Sequence, residues 1–319
     1  MDENVEYYRQ MLLIRLFEQR VEQLFTEGVI RGTMHPCTGQ EAVAVGVMAA
    51  LSPSDYITST HRGHGHFLAR GGDPRLMMAE LFGKKTGYSG GRGGSQLMGD
   101  YSLGFLGGNG ITGGSIPVAT GVGLSLKRRQ QDAVAVCFFG DGASNQGTFH
   151  ESLNMAGLWD LPVLYVCENN AYAMSTPVHQ ALSIENVADR AGAYGFPGVS
   201  VDGNDVSAVR KAVVEARARA CRGKGPSLIE CKTYRLSGHS RGDQRRYRSA
   251  EEEQKAWQQD PIRRFREKLE SEGFMDPDGT DQLQHEVQQQ LEQAEQFARE
   301  SSFPDPDDLE KGLYATDQL

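Results

Sequence analysis

Two short polar motifs carry oxygen-bearing side chains that could bind a metal ion together with a phosphorylated ligand. The first is GDG at 140–142 and the second is NN at 169–170, and each closely follows an apolar segment. Asp141 offers an anionic oxygen, Asn170 an amide oxygen, and a backbone carbonyl near Tyr172 a third ligand. Mg²⁺ takes about six oxygen ligands and commonly leaves some positions to phosphates and water. GDG alone is also typical of an ordinary turn, but its pairing with the double asparagine favours a metal site.

The segments before these motifs explain how the two motifs could meet. Residues 134–139 and 163–167 are uninterrupted apolar runs, as expected of central strands in a parallel sheet, and a predicted helix to about Trp159 joins them. The right-handed crossover of such a βαβ unit puts both strand exits at one edge of the sheet. The glycines let backbone N–H groups approach a diphosphate, and the following helix points its positive end toward it. No segment matches the glycine patterns of dinucleotide-binding or P-loop proteins.

The same alternation of helix and strand patterns extends over most of the chain. A helix over 3–28 has apolar residues at near-helical spacing, and a TGQE capping box at 38–41 opens a second helix. The further predicted elements are a strand over 55–60, a polar turn over 61–66, a helix over about 205–221 and a strand over 228–234. The pattern predicts an α/β domain over 1–249, with a mainly parallel sheet and helices on both faces.

Two segments depart from this alternation. Glycine is dense between Gly83 and Gly123, and we expect loops that bring backbone close to a ligand. A disordered linker is the alternative, but Phe105 and Ile116 are among several residues too apolar for one. Beyond a SAEE capping box at residue 249 the sequence is charged and glutamine-rich. We predict that 250–319 forms exposed helices as a C-terminal arm.

Composition narrows the classes of function. The 319 residues carry a net charge of −9, which argues against a general affinity for nucleic acid or an anionic membrane. Five cysteines without a C-x-x-C pair argue against a disulfide framework and favour a reducing cytoplasm. No apolar run approaches the roughly 20 residues that span a bilayer, and the acidic N-terminus has no apolar signal core. We expect a cytoplasmic protein that binds its anionic ligands locally.

Three histidines of the polar turn could take part in chemistry. His61, His64 and His66 lie close together there, and a Zn²⁺ site is one interpretation because imidazole is a common zinc ligand. A histidine with a pKa near neutrality could donate to a phosphate or a substrate carboxylate, or transfer a proton. A structural role is the alternative for any one of them.

The long form of the GDG motif is similar to that of a known family. From residue 140 the chain reads GDGASNQGTFHESLNMAGLWDLPVLYVCENNAYAMS, which closely resembles the thiamine diphosphate motif of the alpha subunits of 2-oxo acid dehydrogenases. The resemblance covers nearly the whole chain, from IRG at 30–32 to YR at 247–248. It implies the thiamine diphosphate-binding fold, with thiamine diphosphate and Mg²⁺ as cofactors.

The resemblance also implies roles for individual residues. Asp141, Asn170 and the Tyr172 carbonyl would bind Mg²⁺, and His35 and His239 would lie near the reacting end of the cofactor as candidate catalytic residues. Arg62, Gly142 and Ala143 would contact the diphosphate. Gly110 and Thr112 would lie beside the aminopyrimidine and thiazolium rings, and Met174 would support the bent cofactor. His61 and His239 would also belong to the cofactor site.

Two motifs depart from the pyruvate-type pattern of this family. HRGHGH at 61–66 is similar to the acetoin dehydrogenases, and GGSQL at 93–97 replaces the usual GGSMH. The resemblance implies decarboxylation of pyruvate or a similar short 2-oxo acid, with the acyl unit passed to a lipoyl group on a separate acyltransferase or carrier protein. Acetoin dehydrogenase activity is a close alternative. A transketolase-like two-carbon transfer, with arginines 245, 246 and 248 binding a sugar phosphate, and a cofactor-free scaffold subunit also stay open.

A second chain should complete the enzyme. Thiamine catalysis needs a carboxylate at the aminopyrimidine ring, and in this superfamily a different α/β domain supplies it. One such domain already occupies the 319 residues. The resemblance therefore implies a homologous beta subunit, in an α2β2 heterotetramer. We expect the segments 103–123 and 157–159 to form the interface, because large apolar patches on a protein surface usually mark contacts.

Overall fold

Five segments pair into one parallel sheet. The structure is a computed structural model and describes residues 2–308. The strands of the sheet are β1 (Tyr56–Thr58), β2 (Ala135–Gly140), β3 (Val163–Asn169), β6 (Gly198–Asp202) and β7 (Ser227–Lys232), and β4 (Tyr172–Ala173) with β5 (Thr176–Pro177) forms a short antiparallel hairpin. The pairings in the order β1-β2-β3-β7-β6 are all parallel. Every strand of this sheet therefore ends at the same edge.

Most of the longer helices begin at a residue whose side chain accepts a hydrogen bond from an N–H of the first turn. Asp73, Asp205, Asp260 and Asp276 do so, and proline follows all of them except Asp205. Ser249 accepts from the N–H three residues later, as the SAEE motif predicted. The α-helices are α1 (Glu3–Thr26), α2 (Glu41–Met48), α3 (His64–Ala69), α4 (Pro74–Leu81), α5 (Ser115–Arg129), α6 (Gly147–Leu158), α7 (Val178–Ala181), α8 (Val206–Cys221), α9 (Ala250–Gln258), α10 (Pro261–Ser271) and α11 (Pro277–Glu300). Single 3₁₀ segments are Tyr101–Leu103, Asp141–Asn145, Val187–Tyr194 and Pro306–Asp308.

Different helices cover the two faces of the sheet. Alternate residues of a strand point to opposite faces. Val136 and Phe138 of β2 pack in a cluster that contains residues of α1, α2, α4, α8, α10 and α11. Cys137 and Phe139 pack in a second cluster with residues of α5 and α6. The predicted α/β fold, with a mainly parallel sheet and helices on both faces, is confirmed.

Helix α2 begins later than the TGQE motif predicted. Its first residue is Glu41, and no side chain caps it, so the prediction that Thr38 starts this helix is wrong. The Glu41 carboxylate instead accepts a hydrogen bond from the Gly39 N–H at 3.0 Å and from Arg15 Nε on α1 at 2.6 Å. Because Arg15 also contacts Asp260 at the start of α10, one buried ion-pair network joins three helices.

The helices after residue 249 pack against the rest of the chain. Helices α10 and α11 bury Phe265, Leu269, Leu283 and Leu291 in the same cluster as α1. The prediction that the arm helices are exposed is wrong for α10 and α11, because their charged residues alternate with an apolar stripe at helical spacing. It holds for α9, in which every residue is exposed or partly exposed. Residues 309–319 of the predicted arm lie outside the described residues, and the division at 249 stays a prediction.

Two of the predicted loops contain the start of a helix, and one strand was not predicted. The polar turn over 61–66 is interrupted by α3, which begins at His64. The loops predicted to reach Gly123 end where α5 begins at Ser115. Strand β6 was missed because it lies at the sheet edge and is mostly exposed, so it lacks an apolar run. Among residues 2–308, no helix is both long enough and apolar enough to cross a bilayer.

Candidate active site

Four strands of the sheet end around one cavity of about 310 Å³. His61 and Arg62 follow β1, Asp141 follows β2, Asn170 follows β3 and Arg235 follows β7, and all five residues line the cavity. They converge because the strands are parallel and β2, β3 and β7 are paired up to their last residues. This edge is where open α/β sheets bind ligands.

One side of the cavity is acidic and lies after β2 and β3. Asp141 is only 3% exposed, and burial raises the pKa of its carboxyl to about 6, although a backbone hydrogen bond from Asn170 acts in the opposite direction. A nearby cation would restore the ionised form. The Asn170 amide is oriented by Gln40, because its Nδ2 donates to Gln40 Oε1 at 3.0 Å. From the described residues, the Asn170 Oδ1 accepts only a 3.4 Å hydrogen bond, from the Tyr172 N–H, so this oxygen is a candidate metal ligand.

The hairpin β4–β5 packs closely on this acidic side. A Cβ added at Gly142 would lie 2.7 Å from the Cβ of Ala173, so glycine permits this approach. Arg235 fixes the hairpin, because its Nη1 donates to the Tyr172 carbonyl at 3.2 Å and its Nη2 to the Met174 carbonyl at 2.8 Å. The third predicted metal ligand, the Tyr172 carbonyl, therefore already accepts one hydrogen bond.

Two guanidinium groups, those of Arg62 and Arg235, form a basic side of the cavity. Arg62 and Arg235 are both buried, and Arg62 donates from Nη1 to the Pro36 carbonyl and pairs through Nη2 with Nδ1 of His239, each at 2.9 Å. In the described part of the chain, the partners of these guanidinium groups are carbonyls, a histidine and a tyrosine hydroxyl, with no carboxylate in ion-pair contact. Burial, followed by repulsion from Arg235, lowers the pKa of Arg62 to about 9. Two buried cations without a counterion favour an anionic ligand.

A histidine cluster, formed by His35, His61 and His239, lies beside Arg62. The ring centroid of His35 lies 4.7 Å from that of His61 and 5.0 Å from that of His239. Burial, with repulsion from Arg62 second, lowers the pKa to about 4 for His35, about 3 for His61 and about 4 for His239. All three rings are therefore neutral at pH 7. His61 and His239 line the cavity, whereas His35 contacts their rings without being part of the lining.

The structure separates the three histidines of HRGHGH. His64 pairs with Glu18 at 3.2 Å and His66 with Glu168 at 3.1 Å, and both pairs are buried. Only His61 of the three lines the cavity, so a zinc site made of residues 61, 64 and 66 is not formed. Among the described residues, the group of three histidines close enough to share a metal ion is the histidine cluster. The arginines beside that cluster disfavour a second cation there.

Most of the other residues predicted to contact the cofactor line the cavity. Thr112, Ala143 and Met174 line the cavity. Met174 is 64% exposed and has a positive φ of 52°, so it is not an ordinary core methionine. Gly110 is not part of the lining, although the residues on either side of it are. It packs instead on Gln96, whose Oε1 would lie 2.8 Å from a Cβ at position 110.

Sequence reasoning missed Arg235 and Gln40. Arg235 follows β7 just as Asp141 follows β2, so the rule that charged residues beyond parallel strands face the ligand could have found it. Gln40 was interpreted only as part of a helix cap, but it lines the cavity, and its buried Nε2 finds no hydrogen-bond partner within residues 2–308. The buried Nε2 of His61 likewise finds none within these residues. The cavity thus combines a carboxylate for a cation with unpaired polar nitrogens and guanidinium groups for an anion.

Comparisons with known proteins are consistent with this geometry. The family model described as dehydrogenase E1 component matches residues 8–307. The chain is 47% identical over 310 residues to the alpha subunit of acetoin:2,6-dichlorophenolindophenol oxidoreductase of Bacillus subtilis, with 97% of this chain and 92% of that protein covered. It is 42% identical to the pyruvate dehydrogenase E1 component subunit alpha of Rhizobium meliloti, with 97% and 89% covered. For the mitochondrial somatic form of that subunit from Homo sapiens, the identity is 38% and the coverage 99% and 80%.

Proposed function

The chain belongs to the dehydrogenase E1 component family, and from this membership we propose that it is the alpha subunit of a thiamine diphosphate-dependent dehydrogenase. The enzyme decarboxylates pyruvate or a similar short 2-oxo acid and passes the acyl unit to a lipoyl group. The observation that carries the proposal is the cavity, where the buried Asp141 carboxylate lines the same space as two buried guanidinium groups to which the described residues offer no carboxylate partner. A metal ion bound to a diphosphate supplies a positive charge for the carboxylate and negative charges for the guanidinium groups.

Thiamine diphosphate and Mg²⁺ fit the donors in the cavity. Asp141, Asn170 and the Tyr172 carbonyl would hold Mg²⁺, and phosphate oxygens and water would complete its coordination. Arg62 and the unpaired Nε2 of Gln40 would bind the diphosphate. When bound, the cofactor supplies a thiazolium carbanion and an electron sink for breaking the bond next to a carbonyl.

The histidine cluster would act on the substrate. Because the pKa values of its members are lowered, the rings are neutral at pH 7 and can donate hydrogen bonds without adding positive charge. His239 is held by its hydrogen bond with Arg62, so its ring has a defined orientation beside the cavity. We propose that His239, which lines the cavity, together with His35, which contacts the His239 ring from outside the lining, binds the substrate carboxylate or moves a proton at its carbonyl oxygen.

Acetoin is the second candidate substrate. The observation that favours it is the higher identity to the acetoin-oxidising relative, 47%, than to the pyruvate dehydrogenase subunit of Rhizobium meliloti, 42%. A sugar phosphate has less support, since none of the arginines at 245, 246 and 248 is among the described residues that line the cavity. Arg248 lies instead against the rings of three tyrosines, Tyr172, Tyr234 and Tyr247.

We propose a homologous beta subunit as partner, in an α2β2 heterotetramer. The relatives are named as alpha subunits. Large apolar side chains are exposed in both predicted interface segments, including Ile111 at 74% and Leu158 at 73%. The carboxylates among the described lining residues are Asp141 and Glu168, and Glu168 is paired with His66. The carboxylate needed at the aminopyrimidine would therefore come from the second chain.

The test is an activity assay on the chain purified alone and on the chain assembled with its beta subunit. With thiamine diphosphate, Mg²⁺ and an artificial electron acceptor, we expect turnover by the complex and none by the chain alone. Pyruvate, 2-oxobutyrate, acetoin and a ketose phosphate are compared by kcat/KM. Robust turnover by the chain alone would overturn the subunit assignment, and a complex active only with ketose phosphate would overturn the substrate class.

A further inference from the structure

Gln96 connects the glycine-rich segment to the histidine cluster. Its Nε2 lies 3.1 Å from Nδ1 of His35, and its side chain is half-buried. Its Oε1 packs on Gly110, where an added Cβ would lie only 2.8 Å away. The amide is therefore confined between the histidine ring and the backbone, with its NH₂ group directed at His35.

An amide NH₂ group at this distance determines which nitrogen of His35 carries hydrogen. The NH₂ group can only donate, so Nδ1 must accept, and a neutral ring then carries its hydrogen on Nε2. The ring is neutral because burial, and then repulsion from Arg62, lowers its pKa to about 4. The titratable and charged groups that face His35 are Arg62, His64, Arg235, His61 and His239. None of these is a carboxylate that would favour protonation.

We infer that Gln96 is a positioning residue that keeps His35 as a neutral hydrogen-bond donor through Nε2. His35 contacts the rings of both other members of the histidine cluster, so its tautomer sets which groups the cluster can offer. A fixed donor suits a ligand that presents acceptor oxygens, such as the carboxylate and carbonyl of a 2-oxo acid. The catalytic part of this inference rests on the proposed function, whereas the tautomer is a property of the chain itself.

Two substitutions at position 96 separate donation from packing. Gln96→Met keeps a similar side-chain volume but removes the donor. Gln96→Glu replaces the donor with an acceptor, which requires a hydrogen on Nδ1 and stabilises the protonated ring. Gln131→Glu, at an exposed position, is the matched control for the added charge.

The direct measurement is solid-state ¹⁵N spectroscopy of the assembled protein, labelled with [¹⁵N]histidine and free of cofactor. His35→Asn identifies the signals of His35. We expect the hydrogen of wild-type His35 on Nε2 at pH 7, and a pKa raised by more than one unit in Gln96→Glu but not in Gln131→Glu. A hydrogen on Nδ1 in the wild type, or an unchanged His35 in Gln96→Glu, would overturn the inference.

Kinetics test the catalytic consequence. Gln96→Met should lower kcat/KM roughly three- to tenfold, as expected for one lost hydrogen bond, while the affinity for thiamine diphosphate stays unchanged. Because Gln96 acts through His35, the double variant with His35→Asn should be no worse than His35→Asn alone. Additive losses would contradict this. If the assembled wild type has no activity, the proposed function fails, and the spectra still decide the tautomer.

Discussion

Both sides of the cavity are formed by residues that follow strands of the parallel sheet, but only the acidic side has a recognisable motif in the sequence. Asp141 and Asn170 lie in a motif pair about 30 residues apart, whereas Arg62 and Arg235 are far apart in the chain and belong to no shared motif. Burial shifts the pKa of each side toward the neutral form, upward for Asp141 and downward for Arg62. Attraction from Arg235 and Arg62 acts against the raised pKa of Asp141, but burial outweighs it. A ligand that carries charges of both signs would stabilise the ionised form of each side.

The largest effect should follow from removing the only carboxylate proposed as a metal ligand. Asp141→Ala should weaken thiamine diphosphate binding in the presence of Mg²⁺ at least about a hundredfold, since the neutral oxygens left are poor metal ligands without an anionic one. Calorimetric titration of the assembled protein measures this. Asp132→Ala is the matched control, because Asp132 is exposed beyond the opposite end of β2. Equal losses in the two variants would remove Asp141 from the metal site.

The second prediction distinguishes the histidines of the core from those of the cavity. His64→Ala removes the ion-pair partner of the buried Glu18 carboxylate, which keeps only its hydrogen bonds from Cys37 among the described residues, and should lower the free energy of unfolding by about 3 kcal/mol. His239→Ala removes a half-buried ring that pairs with Arg62, and with no carboxylate among residues 2–308, and should lower this free energy much less. Chemical denaturation of the assembled protein measures both, and similar losses would contradict the division between structural and cavity histidines.

The third prediction concerns the basic side of the cavity. Arg62→Lys should weaken thiamine diphosphate binding about tenfold, because an ammonium group cannot reproduce the two-pronged contact of a guanidinium. Arg75→Lys is the control, since Arg75 is exposed and pairs with Asp73 outside the cavity. If both variants bind the cofactor with wild-type affinity, Arg62 does not contact the diphosphate.

The smallest effect is a dependence of stability on pH from the histidine cluster. The folded pKa values, about 4, 3 and 4, lie below the usual 6.5, so below pH 6.5 the unfolded chain binds protons that the folded chain does not. The free energy of unfolding should therefore fall as pH drops from about 6.5 toward 4, and this contribution is constant above pH 7. His61→Gln should flatten the decline. Parallel pH profiles of the variant and the wild type would contradict the lowered pKa of His61.

The parts of the fold that could be predicted are those in which neighbouring residues form a recognisable pattern, such as an apolar run or a short motif. The strands β2 and β3 each contain a continuous apolar run, and GDG begins at the last residue of β2, so both the βαβ unit and the acidic side could be predicted. The exposed edge strand β6 has no such run. Helix α11 of the predicted C-terminal arm has a buried stripe of apolar residues, but its many charged residues led to the prediction of an exposed helix.

Residues that act through distant contacts were not accessible from the sequence in the same way. Gln40 and Gln96 are ordinary polar residues until the fold places one against Asn170 and the other against His35. The roles of the histidines of HRGHGH could not be predicted from the sequence for the same reason. They share one short motif, yet two of them pair with carboxylates supplied by other segments and the third lines the cavity. Which role a histidine takes depends on those partners.

The most direct test of the cavity as a metal-diphosphate site is the titration of the wild-type assembly with thiamine diphosphate, once with Mg²⁺ and once with chelator. We predict binding with Mg²⁺ and at least a hundredfold weaker binding with chelator. At a free concentration a hundred times its dissociation constant, the cofactor should stabilise the protein by about 2.7 kcal/mol, as a rise in melting temperature that chelator abolishes. Equal affinity with and without the metal would contradict the assignment of Asp141 and Asn170 as metal ligands, and no binding under either condition would contradict the cofactor itself.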